Sequence, residues 1–519
     1  MDKKYKFVII SNMPTEAFLA RTLKKLFNEN HLNFGSDYVS YEQYCSSDFG
    51  KPDVIVSLIN IDILFPDILN KIYSKQITNE QIEFEISTSI NSYIEDISSF
   101  KNALHIFFLF EDYYYYDSLY NGNSKKTYVI DAINQRLIEL HNENVVFVDS
   151  KQLIAKLGFD RAYDCRYKYH YGMPYSKEMC ETFSLEILKQ FYIYRGMSKK
   201  CIVVDCDNVL WGGIVSEDGI ENIKLSNNGI GKKYQDFQRL LLSLYYNGVI
   251  IAISSKNDLE DVKNVFQNHS GMILNQKHIS VFKVNWRNKV ESISEIASEL
   301  NIGLESIVFI DDSQYEVDCV KYSLPEVSSV LFDINSKMQN VYLLFNLSKE
   351  TNLQEIERRI NTYSTNKLRL ELKKQYKEHH EYIKQLNVDV EIHESLNSEW
   401  SRISELTQRT NRFTNGKRYT TRELREQALK LNRKMYSVFV KDKFSELGLV
   451  GVFEVVDNEL TLFSLSCRSL GRDVEKKMVL FIQNNFSINK ICFSKTGKNK
   501  DIIDFFNQTF SSTIIYSKI

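Results

Sequence analysis

The sequence predicts an α/β chain of three domains, and three observations carry that reading. Its 519 residues are about three times one ordinary domain, at roughly 150 residues each. Up to about residue 198, and again from 201 to about 335, short apolar runs alternate with longer amphipathic stretches, the rhythm of parallel strands joined by crossover helices. From about residue 386 the pattern changes to helices followed by adjacent strands, as in an α+β domain.

Composition narrows the classes further. Hydrophobic residues make up 43% and charged residues 25%, enough for buried cores and inconsistent with global disorder. The 65 Lys and Arg nearly balance 67 Asp and Glu, a net charge of −2, so no bulk field recruits nucleic acid or an anionic membrane. Five prolines and nineteen glycines disfavour proline-rich linkers and loop-dominated folds. The eight cysteines, at 45, 165, 180, 201, 206, 319, 467 and 492, show no CxxC spacing, and we read them as reduced thiols of a cytoplasmic protein. The amino-terminal MDKKYKFVII has an apolar run of only about four residues, too short for a secretory core, and reads as a first strand. No stretch reaches the roughly 18 apolar residues of a bilayer span; the longest candidate, near Ile106 to Phe110, stops at Glu111-Asp112.

The first domain, residues 1–198, takes strands at Phe7–Ile10, Val54–Ile59, Ile106–Phe110 and Val145–Val148, with an amphipathic helix over Ala17–Asn28. The basic turn Ser198-Lys199-Lys200 marks a boundary. The second domain, 199–345, opens on the strand Cys201–Val204. A helix with Phe237, Leu240, Leu241 and Leu244 on one face then stops at Gly248, a natural C′ residue. The strand Val249–Ile253, a helix opened by Asp258, a helix with Val290, Ile293, Ile296 and Leu300 in register, and the strand Ile307–Ile310 complete a doubly wound sheet. Residues 346–385, charged and proline-free, read as a helical connector. The third domain, 386–519, takes helices at Glu399–Thr410 and Arg422–Leu431, strands at Tyr436–Val440, Gly448–Val456 and Glu459–Ser466, a hairpin turn at Asp457-Asn458, and a helix from about Arg472.

Chemistry concentrates in the second domain. Asp205-Cys206-Asp207 follows an apolar strand directly, at the strand end where open α/β sheets bind ligands. Ser255-Lys256-Asn257, Lys289 and Asp311-Asp312 follow in order, each at a strand end or helix start. Singly, paired acids can cap a helix and Lys289 can lie on a solvated face; the ordered set points to phosphoryl transfer. Asp205 suits the nucleophile that forms an aspartyl-phosphate. Asp207 suits the acid that protonates the leaving oxygen and later deprotonates water. The incoming negative charge asks for a hard divalent cation, Mg²⁺, held by Asp205, the Asp207 carbonyl and Asp312 beside Asp311. Lys289 and Ser255 supply the fixed cation and hydroxyl for the phosphoryl oxygens, with Lys256 and Asn257 lining the substrate. Only a short glycine-bearing flap, Gly212–Gly231, precedes the next helix, so no cap domain fits, and the open site suits a large or tethered substrate or completion by a neighbouring domain.

This segment resembles the haloacid dehalogenase (HAD) superfamily. Residues 203–219, Ser255–Asp258, Trp286–Lys289 and Phe309–Ser313 resemble, more narrowly, the FkbH-like proteins of subfamily IIIC, which often have Leu where Cys206 stands and Thr where Val209 stands. The resemblance spans nearly the whole chain and implies an SGNH-hydrolase-like or flavodoxin-like first domain, a capless Rossmann-like phosphatase domain and a GNAT-like third domain. In the first, Ser11 stands where a nucleophile would be, but Gly-Asp-Ser is absent and Asp164 with His170 is a poor copy of the partner pair; we read this domain as scaffold or carrier-docking surface. In the third, Arg468-x-x-Gly471-Arg472 resembles a GNAT pyrophosphate loop at a helix start, suited to the phosphate of coenzyme A or phosphopantetheine. Arg472-Asp473 departs from the usual Gly-x-Gly. Asn411, within Thr407–Thr414, is placed in the same cleft or at a polar helix end. Cys467 is either a core cysteine or an acyl acceptor whose thiolate the helix start and Arg468 would favour. The activity implied is glyceryl transfer with dephosphorylation: a phosphorylated small acid, 1,3-bisphosphoglycerate, loses phosphate, and its glyceryl group becomes a thioester on the phosphopantetheine of an acyl carrier protein. A plain phosphatase and a coenzyme A-dependent acyltransferase are the competing expectations.

Overall fold

Among the described residues, the apolar runs fall on β-strands of three five-stranded sheets. The computed structural model describes residues 4–29, 32–65, 78–98, 103–111, 125–140, 145–195, 197–335, 341, 344–345, 353–419, 423–425, 432–495 and 499–510. The chain divides into two compact units, Met1–Tyr194 and Arg195–Ile519, so the parts that the sequence separates into a second and a third domain belong to one unit. Among the described residues no helix is long and apolar enough to cross a membrane.

In the first unit, β1 (Tyr5–Ser11), β2 (Phe34–Ser40), β3 (Val54–Leu58), β4 (Leu104–Phe108) and β5 (Val145–Val148) form a parallel sheet in the order β2-β1-β3-β4-β5, the flavodoxin-like order. Alternate side chains of β1 serve opposite layers. Phe7 packs on Phe27 of α1 (Thr15–Glu29) and on Phe191 of a late helix, Lys177–Tyr194. Val8 and Ile10 join the cluster of Ile86, Ile90, Val129 and Ile133 from α2 (Asn79–Ser98) and α3 (Lys125–Leu140). The sequence reading lacks β2: its residues FGSDYVS have no apolar run, and as an edge strand it is buried only in part.

In the second unit, β6 (Cys201–Val204), β7 (Ile250–Ser255), β8 (Ile279–Val284), β9 (Ile307–Asp311) and β10 (Ser328–Leu331) make a second parallel sheet, ordered β10-β9-β6-β7-β8. Ile202 and Val204 face α4 (Gly229–Tyr246) and α5 (Leu259–Asn268), while Cys201 and Val203 face α6 (Lys289–Leu300), which is the double winding. Asp258 caps α5 by accepting from Glu260 N at 2.9 Å, and Gly248 takes a left-handed φ of 77° just after α4, both where the sequence puts them. Between β6 and α4 there is only a flap, closed by the backbone pair Gly212–Lys224 and a single turn at Val215–Asp218.

The connector forms α7 (Leu353–Ser364), α8 (Asn366–Lys374) and α9 (His379–Leu386). Asn366 donates to Glu299 O at the end of α6, and Arg369 makes a two-pronged pair with Asp442 at 2.8 and 2.9 Å, tying the central sheet to the last part of the chain. That part holds β11 (Asp389–Glu394), α10 (Trp400–Arg409), β12 (Arg433–Lys441), β13 (Glu446–Val456), β14 (Glu459–Leu465), α11 (Val474–Asn485), β15 (Lys490–Ile491) and α12 (Lys500–Thr509). The first four strands are antiparallel and β15 runs parallel to β14. Asp457 and Asn458 both have positive φ, 49° and 64°, the geometry of the tight hairpin turn expected there. Strands β14 and β15 pair over just two residues; beyond them Phe413–Asn415 fills the gap, with Asn415 N on Phe463 O and Ser494 N on Asn415 O. Of the helix expected at Arg422–Leu431, residues 423–425 are helical and the rest lies outside the described residues.

Candidate active site

Strand register assembles the acidic centre. Val204 lies opposite Ile253 of β7 and Ile310 of β9, so the next positions, Asp205, Ser254 and Asp311, emerge together at the C-terminal edge. Lys289, the first residue of α6, is 2% exposed and reaches back across this edge. Its ammonium contacts Asp205 at 2.8 Å and Asp311 at 3.1 Å, and donates to Ser254 O at 2.5 Å. Burial works to lower the Lys289 pKa, but the two carboxylates outweigh it and leave it raised. All three ammonium protons thus have partners.

Oxygen atoms of Asp205, Asp311 and Asp312 lie within 4.8 Å of one another. Three carboxylates against one ammonium leave excess negative charge on oxygen ligands alone, which fits a hard divalent cation such as Mg²⁺. Burial, then the neighbouring charges of Asp205 and Asp311, pushes the Asp312 carboxyl up to about 6, while Asn208 donates to its charged form. Asp311 is likewise raised, by burial first, with Lys289 opposing. A carboxyl raised in the fold stabilises the metal-free protein below the ordinary carboxylate range, and that contribution disappears as pH climbs through about 6. Protons therefore compete with Mg²⁺. The rise in melting temperature on adding Mg²⁺ should be larger at about pH 7.5 than at about pH 5; an equal rise at both would show that Asp312 is no ligand.

The Asp207 carboxylate sits apart from that cluster. It accepts from Asn257 Nδ2 and Trp211 Nε1, both at 2.8 Å, and from Val215 N at 3.2 Å. Burial nonetheless raises its pKa, as suits a group that must hold a proton. Only its backbone carbonyl is thereby left for a metal. Asn257, expected to line the substrate, donates to Asp207, and Lys256, expected beside it, pairs with Glu316 at 2.6 Å. The buried Ser255 hydroxyl lies 3.4 Å from Asn257 Nδ2. Burial drives the Cys206 thiol far up, which makes it an inert wall. Two participants escaped the sequence reading. Trp211 fixes Asp207, and Asn208, left-handed at φ 55°, ties the flap to the site through Gly213 N. Both stand within six residues of Asp205, so indole and amide groups beside the acid pair were the available signal.

The remaining candidates separate. Ser11 donates to Leu58 O at 2.6 Å and receives Met13 N, a turn role; Asp164 caps helix Cys165–Tyr171 and pairs with Arg166, and His170 is exposed on that helix. Cys467 and Arg468 lie on a short 3₁₀ turn, six or more residues before α11, so neither stands in the first turn of that helix. Arg472 corrects the pyrophosphate-loop expectation: it is 4% exposed and turned inward onto Asp442 at 3.2 Å and Asn366 at 3.3 Å. Burial and the neighbouring Arg369 bring its pKa down to about 10. Gly471, at φ 73°, turns the chain beside it. Asn411, Cys467 and Arg468 do share a cavity, whereas Gly471 and Arg472 are not part of its wall. Arg472→Gln should lower unfolding stability by about 1–3 kcal/mol in a denaturant titration; a change below about 0.5 kcal/mol would restore the ligand-binding role.

Sheet order, the uncapped flap and the acid–lysine cluster define a HAD-like phosphatase domain. A solved structure of the N-terminal part of the protein BF1531 from Bacteroides fragilis, containing a phosphatase domain complexed with Mg, is similar to this chain at 25% identity, covering 67% of this chain and 94% of that one with a TM-score of 0.55. An uncharacterized protein from Corynebacterium glutamicum aligns at 15% identity over 29% of this chain and 98% of that one, with a TM-score of 0.21, too low to indicate a shared fold. No family model matches the chain, and no curated protein matches it.

Proposed function

We propose that the chain is a Mg²⁺-dependent phosphatase of the HAD type and, more specifically, that it dephosphorylates a phosphoglyceryl substrate and loads the glyceryl group on an acyl carrier protein. The observation that carries the first part is the buried Lys289 ammonium bridging Asp205 and Asp311 at the C-terminal sheet edge. The Mg-complexed phosphatase domain of the similar structure supports the cation. Held by Asp205, Asp311 or Asp312 and the Asp207 carbonyl, Mg²⁺ would supply charge neutralisation at the phosphoryl oxygens. Asp205 attacks phosphorus, and Asp207, held by Trp211 and Asn257, gives its proton to the departing oxygen. Asp207 then takes a proton from the water that cleaves the aspartyl-phosphate. Lys289 and Ser255 hold the phosphoryl oxygens throughout.

The transferase part rests on the FkbH-like resemblance and on Cys467, which lines a cavity walled by arginines. Glyceryl transfer from the acyl phosphate needs a thiol, either Cys467 or the phosphopantetheine thiol of the carrier. A coenzyme A-dependent reading, already set back by Arg472-Asp473 in place of Gly-x-Gly, gains nothing from Arg472, which turns inward onto Asp442. The plain-phosphatase reading gains from the separation of that cavity from Asp205 along the strands. Incubation with Mg²⁺, 1,3-bisphosphoglycerate and phosphopantetheinylated carrier decides between them: released phosphate together with a glyceryl adduct on the intact carrier mass is the expected result. Phosphate without an adduct leaves the plain phosphatase, and neither product removes the proposal.

A further inference from the structure

The last part of the chain meets the central sheet at the edge opposite the acids, where Lys200, Ile250 and Ser306, at or just before the first residues of β6, β7 and β9, line the cavity that holds Cys467. The acidic edge is bordered by the flap after β6, the loop 285–288 after β8 and the helix Gln314–Ser323 after β9. Each of the three carries one large apolar side chain in solvent: Ile214, Trp286 and Tyr315, at 37%, 72% and 72% exposure. Single apolar residues on a surface are ordinary. Three of them beside one charged centre are not scattered.

The chain on either side of these side chains is fastened. Ile214 stands between two residues whose amides serve the site: Gly213 N donates to Asn208 Oδ1 at 2.9 Å, and Val215 N donates to Asp207 at 3.2 Å. Trp286 is three residues before Lys289. Before it, Asn285 N donates to Ser255 O at 3.0 Å; after it, Glu295 clamps Arg287 along α6 at 2.6 and 3.0 Å, and Asn288 caps α6 through Val290 N at 2.8 Å. Tyr315 is three residues after Asp312. Ser313 N donates to Asp311 at 2.9 Å, and Glu316 takes the Lys256 ammonium at 2.6 Å. Loops held this way lose little further freedom when a ligand arrives. Trp211 is fully buried and Trp400 packs on a core cluster of the last sheet, so Trp286 is the tryptophan left in water.

We propose that Ile214, Trp286 and Tyr315 form an apolar rim that receives the leaving group, and that the substrate is a phosphomonoester whose organic part continues outward as an apolar stem. The inference rests on the phosphatase half of the proposed function and needs nothing of the transferase half. With its phosphoryl group held at the strand tips, a compact polyol phosphate lies among the acids and leaves the indole in water, so the rim adds nothing to its binding. A stem leading outward from the same point passes the rim and buries apolar surface on both partners. Covering the rim also shuts water away from the acids, which strengthens the charge interactions inside. A phosphoglyceryl group then reaches the centre as the end of a longer molecule. Without a cap domain to select the leaving group, the selection falls to these three side chains.

Calorimetric titration of the full chain in Mg²⁺ with ethyl-, butyl- and hexylphosphonate, which have no ester bond to cleave, tests the rim apart from the reaction. The dissociation constant should fall about two- to fourfold per methylene, the worth of taking each out of water. EDTA should weaken all three by the same factor, because it acts on their common end. Trp286→Ala should shrink the ethyl-to-hexyl ratio of dissociation constants by about fivefold or more. Tyr322→Ala, which removes a 91% exposed aromatic at the far end of helix Gln314–Ser323, should leave that ratio as in wild type. Equal dissociation constants for the three, no measurable affinity for any, indifference to EDTA, or a ratio that Trp286→Ala leaves unchanged or Tyr322→Ala changes as much overturns the proposal. The phosphatase reading is tested separately, by phosphate release from the wild-type chain with Mg²⁺, which no phosphonate can give.

Discussion

Lys289→Met should lower the stability of the metal-free protein by about 3–5 kcal/mol and remove phosphate release, and Mg²⁺ should return part of the lost stability but none of the activity. The physical reason is that Lys289 is the internal counter-ion of a nearly dry site: its ammonium stands between Asp205 and Asp311, the latter 1% exposed. Methionine keeps the length and apolar stem of the side chain but leaves two close carboxylates facing each other, and breaking a buried pair is costlier than never having built it. A divalent cation supplies the missing positive charge and stabilises whichever state binds it by mass action. Since the uncompensated carboxyls can also take up protons, the deficit should shrink as pH falls. Denaturant titrations in EDTA and in Mg²⁺, at two pH values, read all of these. A metal-free stability equal to wild type would show that Lys289 neutralises nothing, and the acid cluster would lose its interpretation as a charge-balanced centre.

The acid–lysine cluster was legible because each of its parts is a local event. An apolar strand followed by an acid, or a polar residue at a helix start, needs no knowledge of distant chain; parallel register then places Asp205, Ser255 and Asp311 at one edge, and the start of α6 brings Lys289 to it. The details that local pattern does not show all depend on long-range partners. The bond from the Asn257 amide to Asp207, 50 residues earlier, has no local signature. Arg472 follows a glycine before a helix, as an anion-binding arginine would, yet Asp442 and Asn366, 30 and 106 residues away, turn it inward. Strand β2 has no alternating pattern to read because an edge strand half in solvent tolerates Ser, Asp and Tyr in sequence. Nor does any local pattern say which edge of the central sheet the last part of the chain will cover; that is fixed by the Asn366–Glu299 bond and the arginines around Asp442.

Asp205→Asn is expected to act in the opposite sense on stability while abolishing catalysis. The amide is nearly isosteric with the carboxylate and can still face Lys289, but it removes one of three clustered negative charges that, after burial, raise the Asp311 and Asp312 carboxyls. In EDTA the variant should therefore be as stable as wild type or more so, whereas its gain on adding Mg²⁺ should be much smaller, because a ligand charge is gone. An amide does not attack phosphorus, so Mg²⁺-dependent phosphate release should fall by at least about 10³-fold. The contrast with Lys289→Met is the informative part. A scaffold whose acids merely cap strand ends would lose stability on removal of either residue and would show no metal dependence in either case. A phosphoryl-transfer centre loses activity with both, yet its metal-free stability moves down with the lysine and level or up with the aspartate. Phosphate release by Asp205→Asn at more than a few per cent of wild type would assign the nucleophile elsewhere.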